Sequence, residues 1–281
     1  MAGQMRMIML PSGDRMPVLG QGTWFLAEDS ARRDSEIAAL RQGLDLGMTL
    51  IDTAESYADG EGEMLVGEAI AGRRDEVFLV TKVMPHHATL TGTVLACEAS
   101  LRRLSTDWID LYLLHWRGDV PLAETVEAFH ALQAVGMIRN WGVSNFDSPD
   151  LAELTSAGRG REVATDQVLY NLSRRGPEYS LFPACRDLAI PVMAYSPVEQ
   201  RRILDNPVLS DIAARHDASP AQIALAWVLL DDDVCAIPRS SRPDHTRENR
   251  GALDIDLDND DLAALSAEFP PPRQAQPLEV L

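Results

Sequence analysis

Residues Leu50 to Gly62 read LIDTAESYADGEG. Two apolar residues run straight into Asp52, and Tyr57 follows in a segment full of Gly, Asp and Glu. The opening of the stretch reads as a strand buried on both faces, because its apolar run does not alternate with polar residues. The same pattern recurs along the chain. It appears as VLGQGTW from Val18, VFLVTK from Val77, IDLYLLHW from Ile109, NWGVSN from Asn140, TDQVLY from Thr165, PVMAYS from Pro191 and VCAIPRS from Val234. With Leu50 that makes eight short buried strands. Amphipathic stretches at helical spacing lie between them: Ser30 to Leu46, Leu90 to Leu104, Ala123 to Val135, Tyr179 to Leu188 and Pro220 to Leu230. The last has Ser219 as N-cap and Pro220 at its first position.

Eight strand–helix units predict an α/β chain folded as a (β/α)8 TIM barrel. A hairpin precedes it, Met7 to Leu10 and Met16 to Leu19 around PSGD. Extra helices are expected after the seventh barrel strand, at Asn206 to His216, and near the C-terminus. The tail from Pro270 reads as irregular. Length alone leaves room for about two domains, but barrels reach this size as one. The expectation is a single domain over residues 1–281, with the hairpin in 1–19 and the tail in 270–281.

Composition sets outer limits. The chain has 281 residues, 46% of them hydrophobic and 24% charged, with a formal net charge of −18. That is enough apolar material for a large core, and the acidity argues against nucleic acid or an anionic membrane as partner. The three cysteines, Cys97, Cys185 and Cys235, are far apart and form no CxxC pair, so they read as reduced core thiols. The N-terminal MAGQMRMIML is too short and interrupted for a signal peptide, and no run approaches a membrane span. The expected location is the cytoplasm.

A barrel gives strand ends a meaning, because its chemistry sits at the C-terminal face. The polar residues closing the strands are Asp52, Lys82, His115, Ser144 with Asn145, Tyr195, and Arg239 with Ser240; Gln167 lies within the sixth strand. Each has an ordinary structural reading alone: a turn-forming acid, a packed phenol, a rim lysine, a hydrogen-bonded histidine. On consecutive strands of one barrel they form a set.

The motifs GMTLIDTAESYADGEGEMLVGEAI, VFLVTKV, LRRLSTDWIDLYLLHW, IRNWGVSNF and IPRSSRPDHTREN resemble the aldo-keto reductases in order and spacing, over nearly the whole chain. The short bacterial members that reduce methylglyoxal-like substrates are the most similar. The resemblance implies transfer of a hydride between a nicotinamide cofactor and a carbonyl carbon. Tyr57 would donate the proton that the forming alkoxide needs. A free phenol titrates near ~10, a poor acid at neutral pH, and Lys82 beside it would make it more acidic. Asp52 would pair with Lys82, and His115 would hydrogen-bond the substrate oxygen.

The same resemblance assigns the cofactor site. Ser144, Asn145 and Gln167 match residues that bind the nicotinamide carboxamide, and Tyr195 one that stacks on the ring. Ser196, Pro197 and Val198 would border the pyrophosphate, and Thr23 and Trp24 are also assigned to cofactor binding. Arg239, Ser240, Ser241, Arg242 and His245 would form the pocket for the 2′-phosphate of NADPH, and Glu248 and Asn249 would hold the adenine. Many members have arginine where this chain has His245, which is mostly neutral at pH 7 and grips phosphate less well; Arg242 is a second candidate for that grip. Trp24 and Trp116 join Tyr57 and His115 as the substrate pocket. The cover is short, with only RGDV between Trp116 and Pro121 and a brief tail, which suggests an open pocket for small aldehydes or α-ketoaldehydes. His86 and His87 read as an exposed loop pair, and no metal site is expected. The family is often monomeric. Two other readings stand beside this one: a barrel that binds NADPH as a sensor without turnover, and a Schiff-base aldolase using Lys82.

Overall fold

The computed structural model describes residues 5–281. The first four residues, which open the segment weighed above as a leader, lie outside the described residues. Strands β1 (Met7–Met9) and β2 (Arg15–Pro17) pair antiparallel with Ile8 opposite Met16, forming the expected hairpin. Its turn residue Asp14 accepts a 2.7 Å bond from Asn140 Nδ2, near the start of a barrel strand, so the hairpin sits at the N-terminal end of the barrel. Ile8, Leu10 and Met16 bury their side chains there.

Eight parallel strands follow: β3 (Gln21–Gly22), β4 (Leu50–Asp52), β5 (Phe78–Val83), β6 (Ile109–Leu114), β7 (Ile138–Ser144), β8 (Asp166–Leu169), β9 (Val192–Tyr195) and β10 (Val234–Ala236). Each pairs with the next in chain order. Backbone bonds across a seam bring the two edges together: Gly20 N–H to Ala236 O and Ala236 N–H to Val18 O, both 2.8 Å, and Gly22 N–H to Pro238 O at 3.1 Å. The sheet curls into the expected barrel, and no strand edge is left for another chain to pair with at that seam.

Helices α1 (Arg33–Asp45), α2 (Glu61–Ile70), α3 (Leu90–Leu104), α4 (Leu122–Ala134), α5 (Ser148–Ser156) and α6 (Pro177–Asp187) alternate with the strands. Between β9 and β10 come two, α7 (Pro207–Arg215) and α8 (Pro220–Val228), and two more, α9 (Pro243–Gly251) and α10 (Asn259–Glu268), follow β10. The N-cap expected at Ser219 is present. Ser219 accepts from Gln222 N–H while the Gln222 side chain accepts from Ser219 N–H.

Helices α2 and α5 were not delimited by periodicity. Two glycines weaken the helical signal of α2. Gly67 is there for packing: a Cβ on it would lie 2.8 Å from Leu104 O, so α2 meets the end of α3 backbone to backbone. All three cysteines are free and buried, and burial pushes their thiols up, Cys97 to about 12. Among the described residues no helix is long and apolar enough to cross a membrane, and no group of three or more His, Cys, Asp or Glu could hold a metal ion. The tail from Pro270 has no helix or strand, but it turns back on the barrel: Leu278 packs on the core and Glu279 pairs with Arg174.

The seam leaves no room for a side chain at Gly22, where an added Cβ would lie 2.7 Å from Ile237 O. Overpacking of this kind typically costs about 1–3 kcal/mol. Gly22→Ala is therefore expected to lower the thermal unfolding midpoint by several degrees, as read by circular dichroism. An unchanged midpoint would mean that the seam opens freely.

Candidate active site

The strand ends converge on a cleft of about 740 Å³ at the C-terminal mouth of the barrel. That is a common size for a small-molecule or cofactor site. Asp52, Tyr57, His115, Ser144, Asn145, Gln167 and Tyr195 line one part of it, and Arg239, Ser240, Ser241, His245, Glu248 and Asn249 another. Trp24, Trp116 and Ser196 to Val198 are also in its wall.

Two residues expected at the site stand elsewhere. Thr23 is fully buried and its hydroxyl donates to Asp52 O at 3.0 Å, so it braces the strand end from behind. Arg242 is not in the cleft wall and makes a two-bond pair with Asp244, at 2.6 and 3.1 Å, so its own charge is already matched.

At the centre is Lys82, wholly buried. Its Nζ donates to Asp52 Oδ2 at 2.8 Å, to Thr53 O at 2.8 Å and to Tyr57 Oη at 3.2 Å. An ammonium has three protons, so all are committed. Tyr57 Oη accepts from Lys82, which leaves the phenol's own proton free for the cleft. Burial alone would pull the Lys82 ammonium down, but Asp52 and Tyr57 more than offset this and hold it above the ordinary lysine value. Burial raises the Asp52 carboxyl against the pull of Lys82.

For Tyr57 the structure adds a larger, opposing effect to the expected one. Lys82 does favour the phenolate, yet desolvation of the phenol is larger, and Asp52 also opposes ionisation. The net direction is upward, so Tyr57 keeps its proton at neutral pH. A proton donor needs that state.

Asp52 has a second partner that sequence reading missed. Its Oδ1 accepts from Gln167 Nε2 at 2.7 Å, across the barrel mouth from β8 to β4. Only the amide nitrogen can donate to a carboxylate, so the orientation of Gln167 is fixed and its oxygen is what remains for a ligand. Asn145 is also engaged: its Oδ1 accepts from the Tyr195 hydroxyl at 2.9 Å, and its Nδ2 donates to His115 O at 3.1 Å. Asn145 has φ +59°, a left-handed conformation that asparagine tolerates, and this turns the chain sharply at the end of β7.

His115 packs edge-on to Tyr57, ring centroids 5.8 Å apart. Its Nδ1 is buried with no partner. An N–H there would be an unsatisfied buried donor, so the proton belongs on Nε2, which can then donate into the cleft. Burial and the Lys82 charge hold the ring's pKa down to about 3.

Phe25, Leu281 and Arg201 are among the wall residues that carried no sequence signal. Phe25 stacks on Trp24 with centroids 4.4 Å apart, at φ +64°. Leu281 shows that the tail is part of the wall, where its brevity had suggested an open pocket. Arg201 lines the cleft from the loop after β9. His86 and His87 lie outside the cleft, with His87 Nδ1 3.0 Å from Glu55.

A closed parallel barrel with a buried Asp–Lys–Tyr chain at its mouth defines an enzyme-like site of the carbonyl-reducing type, and comparison with known proteins agrees. Residues 18–267 match the Aldo/keto reductase family, and the chain belongs to it. It is 47% identical to Methylglyoxal reductase YeaE of Escherichia coli (strain K12) over 283 residues, 99% of this chain and 100% of that one. It is 33% identical to Glyoxal reductase of Bacillus subtilis (strain 168), covering 92% of this chain and 91% of that one. An aldo/keto reductase from Klebsiella pneumoniae, solved in complex with NADP and acetate, superimposes with a TM-score of 0.96 at 46% identity, covering 99% of this chain and 100% of that one. A structure of an aldo-keto reductase from the same organism with NADPH gives 0.95 at 45% identity, with the same coverage.

The His115 environment predicts a pH effect with a definite sign. The folded protein keeps this ring neutral down to about pH 3, whereas an exposed imidazole titrates near ~6.5. As pH falls below that value the unfolded chain binds a proton that the folded one excludes, so stability drops. By about pH 4.5 this group alone would remove roughly 2–3 kcal/mol. His115→Asn should flatten that part of the profile of thermal midpoint against pH. A profile as steep as the parent's would contradict a neutral, buried His115.

Proposed function

We propose that the protein reduces small aldehydes, α-ketoaldehydes or ketones to alcohols with NADPH, and that Tyr57 is the proton donor. The observation that carries this reading is the bonding of Lys82: three protons committed, one of them to Tyr57 Oη, with the phenol proton left for the cleft.

The residues present fit the cofactor. An acceptor–donor cluster (Ser144, Asn145, Gln167) and the Tyr195 ring lie in the same cleft as the Arg239–Ser240–Ser241 group and Glu248 with Asn249. Gln167 offers its oxygen to a carboxamide N–H; Ser144 and Asn145 add further polar contacts. Ser196, Pro197 and Val198 would border the pyrophosphate, and Arg239 with Ser240 and Ser241 would receive the 2′-phosphate, where His245 lacks the two-pronged grip of a guanidinium. NADPH, when bound, supplies the hydride to the carbonyl carbon.

The chain's own groups act at the carbonyl oxygen. His115 Nε2–H and Tyr57 O–H donate to it, which orients the substrate and stabilises the negative charge that builds there. Tyr57 then gives up its proton, and the product is an alcohol. The resulting phenolate faces Lys82, whose charge stabilises it until a proton returns from solvent. Asp52 keeps Lys82 charged and aimed. Trp24 and Trp116 shape the substrate end, in a wall that also includes Phe25 and Leu281.

The relatives' names, methylglyoxal reductase and glyoxal reductase, support small dicarbonyl compounds as the substrate class. A Schiff-base aldolase would need a lysine amine free to attack, and the committed, buried Lys82 is not one. We further propose that residues 1–281 work as one barrel domain, as a cytoplasmic monomer without nucleic-acid or membrane partners.

Loss of the reduced nicotinamide absorbance with methylglyoxal and a panel of short aldehydes tests the reading. Turnover with NADPH preferred to NADH is expected. Tight NADPH binding with no turnover across the panel would replace it with the sensor reading.

A further inference from the structure

The loop after β9, SPVEQRR from Ser196 to Arg202, contains no glycine. Even so, Ser196 (φ +47°), Glu199 (+49°), Gln200 (+50°) and Arg201 (+74°) all take the left-handed conformation. Such a residue is disfavoured by roughly 1–2 kcal/mol, and glycine would adopt it freely. For two of these positions the side chain explains why a larger residue stands there. Glu199 is buried and accepts from Arg174 at 2.9 Å and from Asn171 at 2.8 Å, which pins the loop to the segment after β8. Gln200 accepts from Arg202 at 2.5 Å.

Arg201 is different. Among the described residues its guanidinium has no hydrogen-bond or ion-pair partner, and the residue, exposed to solvent, stands in the cleft wall. Nearby cations are already matched. Arg174 is shared between Glu199 and Glu279, Arg202 pairs with Glu199 at 3.3 Å, and Arg242 pairs with Asp244. Arg201 and Arg239 are the two arginines in the cleft wall that no carboxylate neutralises, and Arg239 Nη1 makes only a 3.3 Å bond to Phe25 O. In a chain with a net charge of −18, an unpaired arginine at a strained position in a cleft is open to an anionic ligand.

We propose that Arg201 binds a phosphate of the dinucleotide and supplies the grip that His245 and Arg242 do not. The proposal rests on the NADPH reading of the cleft. A guanidinium can hold two phosphate oxygens at once. Both the 2′-phosphate and the pyrophosphate present that chemistry.

Binding, rather than turnover, is the readout. NADPH and NADH are titrated separately into the parent, Arg201→Ala, Arg201→Lys and Arg201→Gly, following quenching of tryptophan fluorescence. Arg201→Ala should weaken NADPH binding on the order of tenfold or more. Arg201→Lys, which keeps the charge and loses the fork, should fall between. Arg201→Gly relieves the backbone strain, so weakening there as large as in Arg201→Ala assigns the effect to the guanidinium. Loss confined to NADPH places Arg201 on the 2′-phosphate; equal loss with NADH places it on the pyrophosphate. Binding of both cofactors within twofold of the parent in Arg201→Ala overturns the proposal, as does parental affinity in Arg201→Gly. A parent that binds neither cofactor overturns the dinucleotide reading itself, and Arg201's role with it.

Discussion

The buried pair of Asp52 and Lys82 is the interaction on which the site depends. Removing two charges from water is expensive, and their attraction offsets it only when the remaining protons and lone pairs are also satisfied. Here they are. Lys82 uses its three protons on Asp52, Thr53 O and Tyr57, and Asp52 uses one carboxylate oxygen on Lys82 and the other on Gln167. Breaking such a pair typically costs about 3–5 kcal/mol, because the partner left behind is a buried charge. The barrel is what makes the pair possible, since β4 and β5 are adjacent parallel strands that bring their ends together.

That pair also joins the two halves of the cleft. The backbone oxygen of Asp52 accepts from Thr23 just past β3, and its carboxylate reaches Lys82 on β5 and Gln167 on β8. A single acid thus ties the proposed proton donor, Tyr57, to the floor on which the nicotinamide lies in the proposed complex. It also explains why burial of Tyr57 helps. Desolvation keeps the phenol protonated, and Lys82 stands ready to stabilise the anion once the proton has gone. Storing the proton and releasing it are therefore handled by different groups.

Much of this was legible in the sequence, for identifiable reasons. The eight strands announced themselves because parallel barrel strands are buried on both faces and read as unbroken apolar runs such as LYLL before His115. Asp52, Lys82 and His115 were legible as polar residues placed where those runs stop. Helix α2 was obscured by Gly62 and Gly67, the second of which lets it approach α3. The Gln167–Asp52 bond joins residues 115 positions apart and has no local signature. The strained loop at Glu199 to Arg201 was hidden because left-handed positions are normally announced by glycine, and here the side chains of Glu199 and Gln200 hold the turn. The inward return of the tail depends on Arg174 reaching Glu279, again a contact distant in sequence.

The most direct measurement is the comparison of Tyr57→Phe with the parent for both NADPH binding and the rate of carbonyl reduction. The account predicts unchanged cofactor affinity, because no cofactor contact is assigned to the phenol oxygen, with reduction slowed by about 100-fold or more, the usual worth of a positioned general acid. Turnover within a few-fold of the parent, with binding intact, would contradict it and move the proton donor to another group in the cleft.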